Sequence, residues 1–305
     1  MDRKEINSLL DLSLSELISV ADKTRNDFAG KNIELCSIMN AKSGLCAQDC
    51  KFCAQSSRHS TGISTYPLKT KEEIFEAAKR AKDTGAERFD IVTSGKSLSK
   101  KELKIVADAI LDITKRLSIK MCASLGSLGE EDLLLLKDAG LSRYHHNIET
   151  SPDYFPNICS THTFSERLNT IKAAKSSGLE VCSGGIIGMG ETMQDRIDLA
   201  LYLKDLNVDS VPINVLVPIK GTPFENRRPL SCNEAIRTIA IFRIILKDKI
   251  IKVAAGRESI LKDFQAMAFM AGANGMLIGG YLTIRGRSVE EDRKLVEEIK
   301  ELWQR

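Results

Sequence analysis

A chain of 305 residues can bury a full core as one large domain or two small ones. Its 43% hydrophobic and 28% charged residues are those of a soluble globular protein, not of a fibre, a disordered tail or a membrane span. The formal charge of +3, set by 44 basic and 41 acidic side chains, leaves no electrostatic footprint for nucleic acid or an anionic membrane.

Residues 1–30 place Asp11, Glu16, Asp22 and Asp27 between apolar positions, which predicts an amphipathic N-terminal helical extension rather than a signal peptide. No apolar run nears the roughly 20 residues that cross a bilayer, so a cytoplasmic chain is expected. From residue 32, short β-rich runs alternate with helical stretches. Strands are predicted at 32–39, 88–92, 119–123, 143–148, 180–186, 210–215, 250–253 and 275–278. Ile74, Ala77, Ala78 and Ala81 mark one intervening helix, and Leu199, Leu201 and Leu203 another. Gly85, Gly140 and Gly178 sit where helices end before the next strand. Strands alternating with helices in this number predict an α/β fold, a single (β/α)8 TIM-type barrel over 31–285 with a C-terminal helix over 286–305. A doubly wound open sheet is the competing topology. The connection after the first strand runs to about thirty residues, well past the length of an ordinary loop.

That connection holds Cys46-Ala-Gln-Asp-Cys50-Lys-Phe-Cys53, three of the eight cysteines. A large chain without an export signal has no need of disulfides, and clustered thiols in a reducing compartment more often hold metal. Three thiolates within eight residues can grip one face of an iron–sulfur cube, leaving one iron open to a small molecule. Three unrelated surface cysteines, or a zinc site completed by a distant residue, are the alternatives.

The CxxxCxΦC spacing, with Phe52 before its last cysteine, resembles the motif of radical S-adenosylmethionine enzymes. The resemblance implies a [4Fe–4S] cluster on Cys46, Cys50 and Cys53, with S-adenosylmethionine on its open iron. It narrows further over about residues 35–285. Tyr144-His-His-Asn147-Ile-Glu149-Thr150-Ser151, Val181-Cys182-Ser183-Gly184-Gly185-Ile186, Val211-Pro212-Ile213-Asn214, Gly221-Thr222-Pro223, Ala255-Gly256-Arg257-Glu258 and Phe269-Met-Ala-Gly-Ala-Asn274 all resemble biotin synthases. That family resemblance implies sulfur insertion into dethiobiotin, an external electron donor such as flavodoxin or ferredoxin, and a homodimer. It also implies that Asn147, Glu149 and Arg167 hold S-adenosylmethionine, with Gly184, Gly185 and Ile186 in the loop lining its adenosyl part. Asn147 and Asn214 would address the ureido ring, since an amide offers a cyclic urea both donor and acceptor. The alternative for each is a strand-end polar residue satisfied by neighbouring backbone.

The resemblance also implies an auxiliary iron–sulfur cluster, [2Fe–2S] or a larger variant, held deep in the barrel by three cysteines and an arginine. Cys122, Cys182 and Arg257 fall at matching places, but Asp90 stands where the pattern has cysteine, and His145 where it usually has asparagine. A barrel layer draws its side chains from alternate strands. Cys36 on strand one, Cys122 on three, Cys182 on five and Arg257 after seven would share such a layer, which makes Cys36 the candidate replacement ligand. A buried apolar cysteine is the alternative, and Cys159 and Cys232 read as incidental. A related radical mutase or maturase would need only the first cluster. An iron–sulfur carrier or redox sensor would need no barrel pocket.

Overall fold

A helix between consecutive strands returns the chain to its starting edge, so neighbouring strands pair in parallel. The computed structural model of the protein, describing residues 2–283 and 286–304, has this arrangement. Met1, Ile284, Arg285 and Arg305 lie outside the described residues, and with them the expected segment limits at 1, 285 and 305. The strands are β1 (Glu34–Lys42), β2 (Arg88–Thr93), β3 (Lys120–Ser124), β4 (Leu141–His145), β5 (Glu180–Cys182), β6 (Gly185–Ile187), β7 (Ser210–Val215), β8 (Ile250–Val253) and β9 (Gly275–Leu277). β5 and β6 are two pieces of one stave. β1 pairs with both β2 and β9, and β7 pairs with both pieces of the broken stave, so eight staves close on themselves. The barrel expectation is correct. An open doubly wound sheet would leave two edges, and this ring leaves none.

The break in the fifth stave has a steric cause. A Cβ on Gly184 would lie 2.0 Å from the Pro212 carbonyl oxygen, and one on Gly185 would lie 2.2 Å from that of Glu149. Two glycines therefore let the segment after β4 press into the stave. There the Gly184 carbonyl accepts from the Ile148 and Glu149 amides, and Ile186 N–H donates to the Glu149 carbonyl at 2.9 Å. Glu149 itself turns through φ +70°.

The outer helices include α3 (Lys71–Asp83), α4 (Lys100–Arg116), α5 (Glu130–Asp138), α6 (Phe164–Ser176), α7 (Met193–Asp205) and α8 (Cys232–Leu246). Reciprocal capping boxes start α3, α4 and α6 through Thr70–Glu73, Ser99–Glu102 and Thr163–Glu166. Gly85, Gly140 and Gly178 take positive φ past the ends of α3, α5 and α6, as their placement predicts. The N-terminal extension is two helices rather than one, α1 (Arg3–Ser8) and α2 (Leu14–Phe28), because Ser13 starts a new capping box with Glu16. α2 packs on α8, and its Arg25 lies 3.8 Å over the ring of Trp303 in the C-terminal helix α11 (Val289–Gln304). Among the described residues no helix is long and apolar enough to cross a membrane.

Alternation along the staves points Glu34, Arg88, Arg143 and Lys252 inward at one end of the barrel. Glu34 takes Arg88 Nε and Arg143 Nη1 at 2.7 Å each and Lys252 Nζ at 2.8 Å. Glu180 takes both arginines at 2.8 Å. Burial alone would raise the Glu34 carboxyl, but Lys252 and Arg143 outweigh it and hold that group well below the usual carboxylate range.

Candidate functional site

Directly beside this charged floor, a cavity of about 330 Å3 opens inside the barrel. Cys36, Cys122 and Cys182 line it together with Lys252, Asp90 and His145. The three cysteines come from the first, third and fifth staves and Lys252 from the seventh, β8, so the alternate-stave layer is real. Lys252 Nζ stands 2.9 Å from Cys36 Sγ, and Arg88 Nη1 stands 4.0 Å from Cys122 Sγ. Burial pushes the Cys36 thiol up to about 11 in spite of Lys252, and burial together with Asp90 pushes Cys122 up further. Three cations meet the two carboxylates Glu34 and Glu180, which leaves one positive charge in excess beneath three thiols. A buried excess cation next to sulfur suits an anionic iron–sulfur group, whose usual ligands are cysteine thiolates. The donor set therefore fits.

Arg257 is the correction. It opens α9 (Arg257–Leu261), beyond the end of β8, and does not line the cavity. Its Nη2 donates to both carboxylate oxygens of Asp292 at 2.7 Å, its Nε to Tyr281 Oη at 3.1 Å, and its Nη1 to Gln265 Oε1. A guanidinium tied on three sides fastens α11 to the barrel. Within β8 the inward position is Lys252, and it occupies the place expected of the arginine.

Asp90 and His145, the two departures from the family pattern, are a single feature. His145 Nδ1 lies 3.2 Å from Asp90 Oδ2 and its Nε2 3.0 Å from Asn147 Oδ1. Because Asn147 Oδ1 also accepts the Gly184 N–H at 3.0 Å, it is the acceptor, and both ring nitrogens donate. Burial would lower the imidazole, but the Cys182 sulfur, Asp90 and Asn147 raise it to about 9. Asp90 Oδ1 is buried without a partner.

The second cavity, about 190 Å3, adjoins the first and shares Cys53, His145, Asn147 and Glu149 with it. Cys46, Cys50 and Cys53 all line it, facing Arg167. Their loop is sewn to the chain before α6. Lys51 N–H donates to the Ile158 carbonyl at 2.9 Å, and Asp49 accepts from the backbone and hydroxyls of Ser160 and Thr161. Arg167 donates Nη1 to the Asn147 carbonyl at 2.9 Å, lies 3.5 Å from Glu149 Oε1, and donates Nε to His162 Nε2 at 3.1 Å. Three thiols on one wall and a carboxylate, an amide and a guanidinium on the others suit a cubane with an open iron and a charged amino-acid ligand.

Ile186 and Asn214 line the inner cavity, whereas Gly184 and Gly185 stand behind it as frame. The Asn214 amide bridges two backbones, Nδ2 donating to the Gly185 carbonyl at 3.2 Å and Oδ1 accepting Ala255 N–H at 3.1 Å. Sequence reasoning missed three members of the site. Lys252 and Glu34 carry an alternation signal on their strands that could have found them. Cys159 carries none: its Sγ sits 3.8 Å from Cys50 Sγ only because Asp49 pins the two loops. Their thiol–thiol hydrogen bond drives Cys50 up and Cys159 down to about 4. Cys232 begins α8 and touches neither cavity.

Comparison with known proteins agrees with this geometry. Residues 42–203 match the radical SAM superfamily, and residues 212–300 match the biotin and thiamin synthesis associated domain. The biotin synthase of Thermotoga neapolitana is 60% identical over 271 residues, covering 88% of this chain and 97% of that protein. The biotin synthase of Thermotoga petrophila is 55% identical over 299 residues, 98% of this chain and 99% of that protein. Among solved structures, methylornithine synthase superposes with a TM-score of 0.83 at 22% identity, covering 97% of this chain and 92% of that one. The FeFe-hydrogenase maturase HydG of Carboxydothermus hydrogenoformans superposes with 0.78 at 20% identity, covering 97% and 77%. At such identities the two structures speak for the fold alone.

Proposed function

This chain belongs to the biotin synthase family within the radical SAM superfamily, and from that premise we propose that it inserts sulfur into dethiobiotin to give biotin. The carrying observation is the pair of thiol-lined cavities with a common wall, which supports two iron–sulfur sites within reach of one bound substrate. When bound, the [4Fe–4S] cluster with S-adenosylmethionine supplies a deoxyadenosyl radical that removes hydrogen from saturated carbon, and the auxiliary cluster supplies the sulfur.

The remaining work falls to the chain itself. Cys46, Cys50 and Cys53 would hold the first cluster. Arg167, already fixed by the Asn147 carbonyl and His162, has guanidinium N–H groups left for the methionyl carboxylate. Glu149 offers its carboxylate to ribose hydroxyls. Cys36, Cys122 and Cys182 would hold the auxiliary cluster, whether [2Fe–2S] or larger. Lys252 is a protonated ammonium against Glu34 with no lone pair to give a metal, so it acts by charge and by N–H donation to the Cys36 sulfur. Asn147 and Asn214 orient the ureido ring, and the closed barrel keeps water from the reacting carbons. An external one-electron donor of the flavodoxin or ferredoxin class completes the cycle.

The test is iron and acid-labile sulfide per chain, with Mössbauer spectra and product analysis, on anaerobically prepared protein. Two spectroscopically distinct clusters and biotin formed from dethiobiotin are expected. Only about four irons per chain, with S-adenosylmethionine cleaved and no biotin, would overturn sulfur insertion in favour of a mutase or maturase.

A further inference from the structure

Cys159 is absorbed by neither cluster, yet it is the thiol most closely bound to a proposed cluster ligand. Its sulfur lies 3.8 Å from Cys50 Sγ, 3.1 Å from Asp49 Oδ1 and 3.2 Å from His162 Nδ1. The contact is built in, because Asp49 and Lys51 flank Cys50 and both are tied to residues 158–161. Cys50, Cys159 and His162 could be thought to chelate a cation, their ligand atoms lying within 4.8 Å of one another. The histidine argues otherwise. Its Nε2 accepts Arg167 Nε–H, so its proton sits on Nδ1, between Gln48 Oε1 at 2.9 Å and the Cys159 sulfur. The ring is a donor to Cys159 and has no lone pair directed at a metal there.

What remains is a dithiol. Closing 3.8 Å to a disulfide takes about 1.8 Å of sulfur movement. Cys53 is in the same loop, but the turn that joins it to Cys50 is closed by the Cys53 N–H on the Cys50 carbonyl, while the Cys50 thiol is directed at Cys159. Cys50 and His162 also line the outer cavity, which brings a small oxidant to the pair.

We propose that Cys50 is the resolving thiol of Cys159, forming a reversible disulfide with it when the chain lacks its cluster and meets hydrogen peroxide. The Cys159 sulfur, which accepts from the Cys50 thiol and from His162 Nδ1–H, would attack the peroxide O–O bond, becoming a sulfenic acid as one water leaves. The Cys50 sulfur then displaces the sulfenic hydroxyl; the S–S bond forms, the S–O bond breaks, and the Cys50 proton leaves in a second water. Two thiols are oxidised by two electrons and one peroxide is reduced. The capture stops Cys159 short of the sulfinic state, from which thiols do not recover it, and holds Cys50 in a form that reduction returns. The disulfide stands on geometry alone; its value to the enzyme rests on the proposed role of Cys50 as a cluster ligand.

The test uses the full chain stripped of iron, treated with one equivalent of hydrogen peroxide, alkylated and digested with trypsin without reduction. Cys50 falls in fragment 43–51 and Cys159 in fragment 144–167, and a Cys46→Ser background leaves Cys50 as the one cysteine of the first. A linked 43–51/144–167 pair that dithiothreitol separates is the expected result. In Cys50→Ser that pair is lost, and Cys159 accumulates as sulfinic acid. Linkage of Cys50 to fragment 52–58 instead, or equal irreversible oxidation of Cys159 with and without Cys50, overturns the proposal. A disulfide-bonded chain that still takes up a full first cluster would instead remove Cys50 from the ligand set and leave the disulfide standing.

Discussion

Cys46, Cys50 and Cys53 lie within eight residues of one loop, while Cys36, Cys122 and Cys182 sit on three separate staves and meet only when the ring closes. The first set is held by a few hydrogen bonds between two loops, most of them through Asp49, and it opens on a cavity that Arg167 and Glu149 complete. The second is fixed by strand pairing on every side and rests on a buried ion network. A loop site admits an exchangeable ligand and exposes its thiols to whatever else enters. A stave site is held rigidly, and the buried charges beneath it must balance much of its charge. The two sites are alike in ligand chemistry and opposite in how the protein holds them.

Matched single substitutions should separate them most sharply. Cys50→Ala is expected to abolish reductive cleavage of S-adenosylmethionine, measured as 5′-deoxyadenosine, and with it every later step. Cys36→Ser should do the reverse, leaving cleavage in place while biotin formation disappears and the second Mössbauer component is lost. Undiminished cleavage in Cys50→Ala with iron still bound, or a fully active Cys36→Ser protein, would break the division of labour between the two sets.

The sequence was readable where function depends on local spacing, and less so where it depends on what faces inward. The triplet, the eight staves and the glycine helix ends follow from short-range patterns. Cys36 could be reached from the alternation of staves, since the layer rule needs only strand order. Arg257 went wrong by the same rule, because the end of β8 falls before it and a family-like segment outweighed the two-residue period that picks out Lys252. The Glu34–Glu180 floor was only half legible: alternation puts Glu34 on the face of Cys36, but does not supply its partners. Charged residues at strand starts usually face solvent, and only ring closure turns Glu34, Arg88 and Arg143 toward one another. Asp90 and His145 read as two defects in sequence, and their hydrogen bond makes them one paired change.

The floor gives the next largest effect, and one that the loop site should not feel. Glu34→Gln removes the carboxylate shared by three cations and leaves buried like charges unbalanced, a loss of about 3–5 kcal/mol. The Glu34 carboxyl is held below its ordinary value of 4.5, so its contribution is present above that pH and is lost as pH falls through the lower folded-state value. The melting-temperature gap between wild type and Glu34→Gln, measured on cluster-free chains, should therefore be full near neutrality and narrow in acid below pH 4.5. A gap independent of pH would mean that the carboxylate's charge is not what the floor requires.

Asn214→Ala is the smallest and most discriminating change, because Asn214 belongs both to the frame and to the cavity wall. Its amide spans the Gly185 carbonyl and the Ala255 N–H, leaving one N–H and one lone pair for a ligand. If those remaining groups address the ureido ring, losing them weakens dethiobiotin by about 1–3 kcal/mol, roughly tenfold to a hundredfold. S-adenosylmethionine, gripped from the loop side by Arg167 and Glu149, should bind nearly as before. If the amide serves only as a brace, the gap between β6 and the turn after β8 loosens instead, and both ligands weaken together with a fall in melting temperature. Separate titrations of the two ligands with the cluster-loaded variant, read beside its melting curve, distinguish the cases. A selective loss of dethiobiotin affinity at unchanged stability assigns Asn214 to the substrate, and parallel losses assign it to the frame.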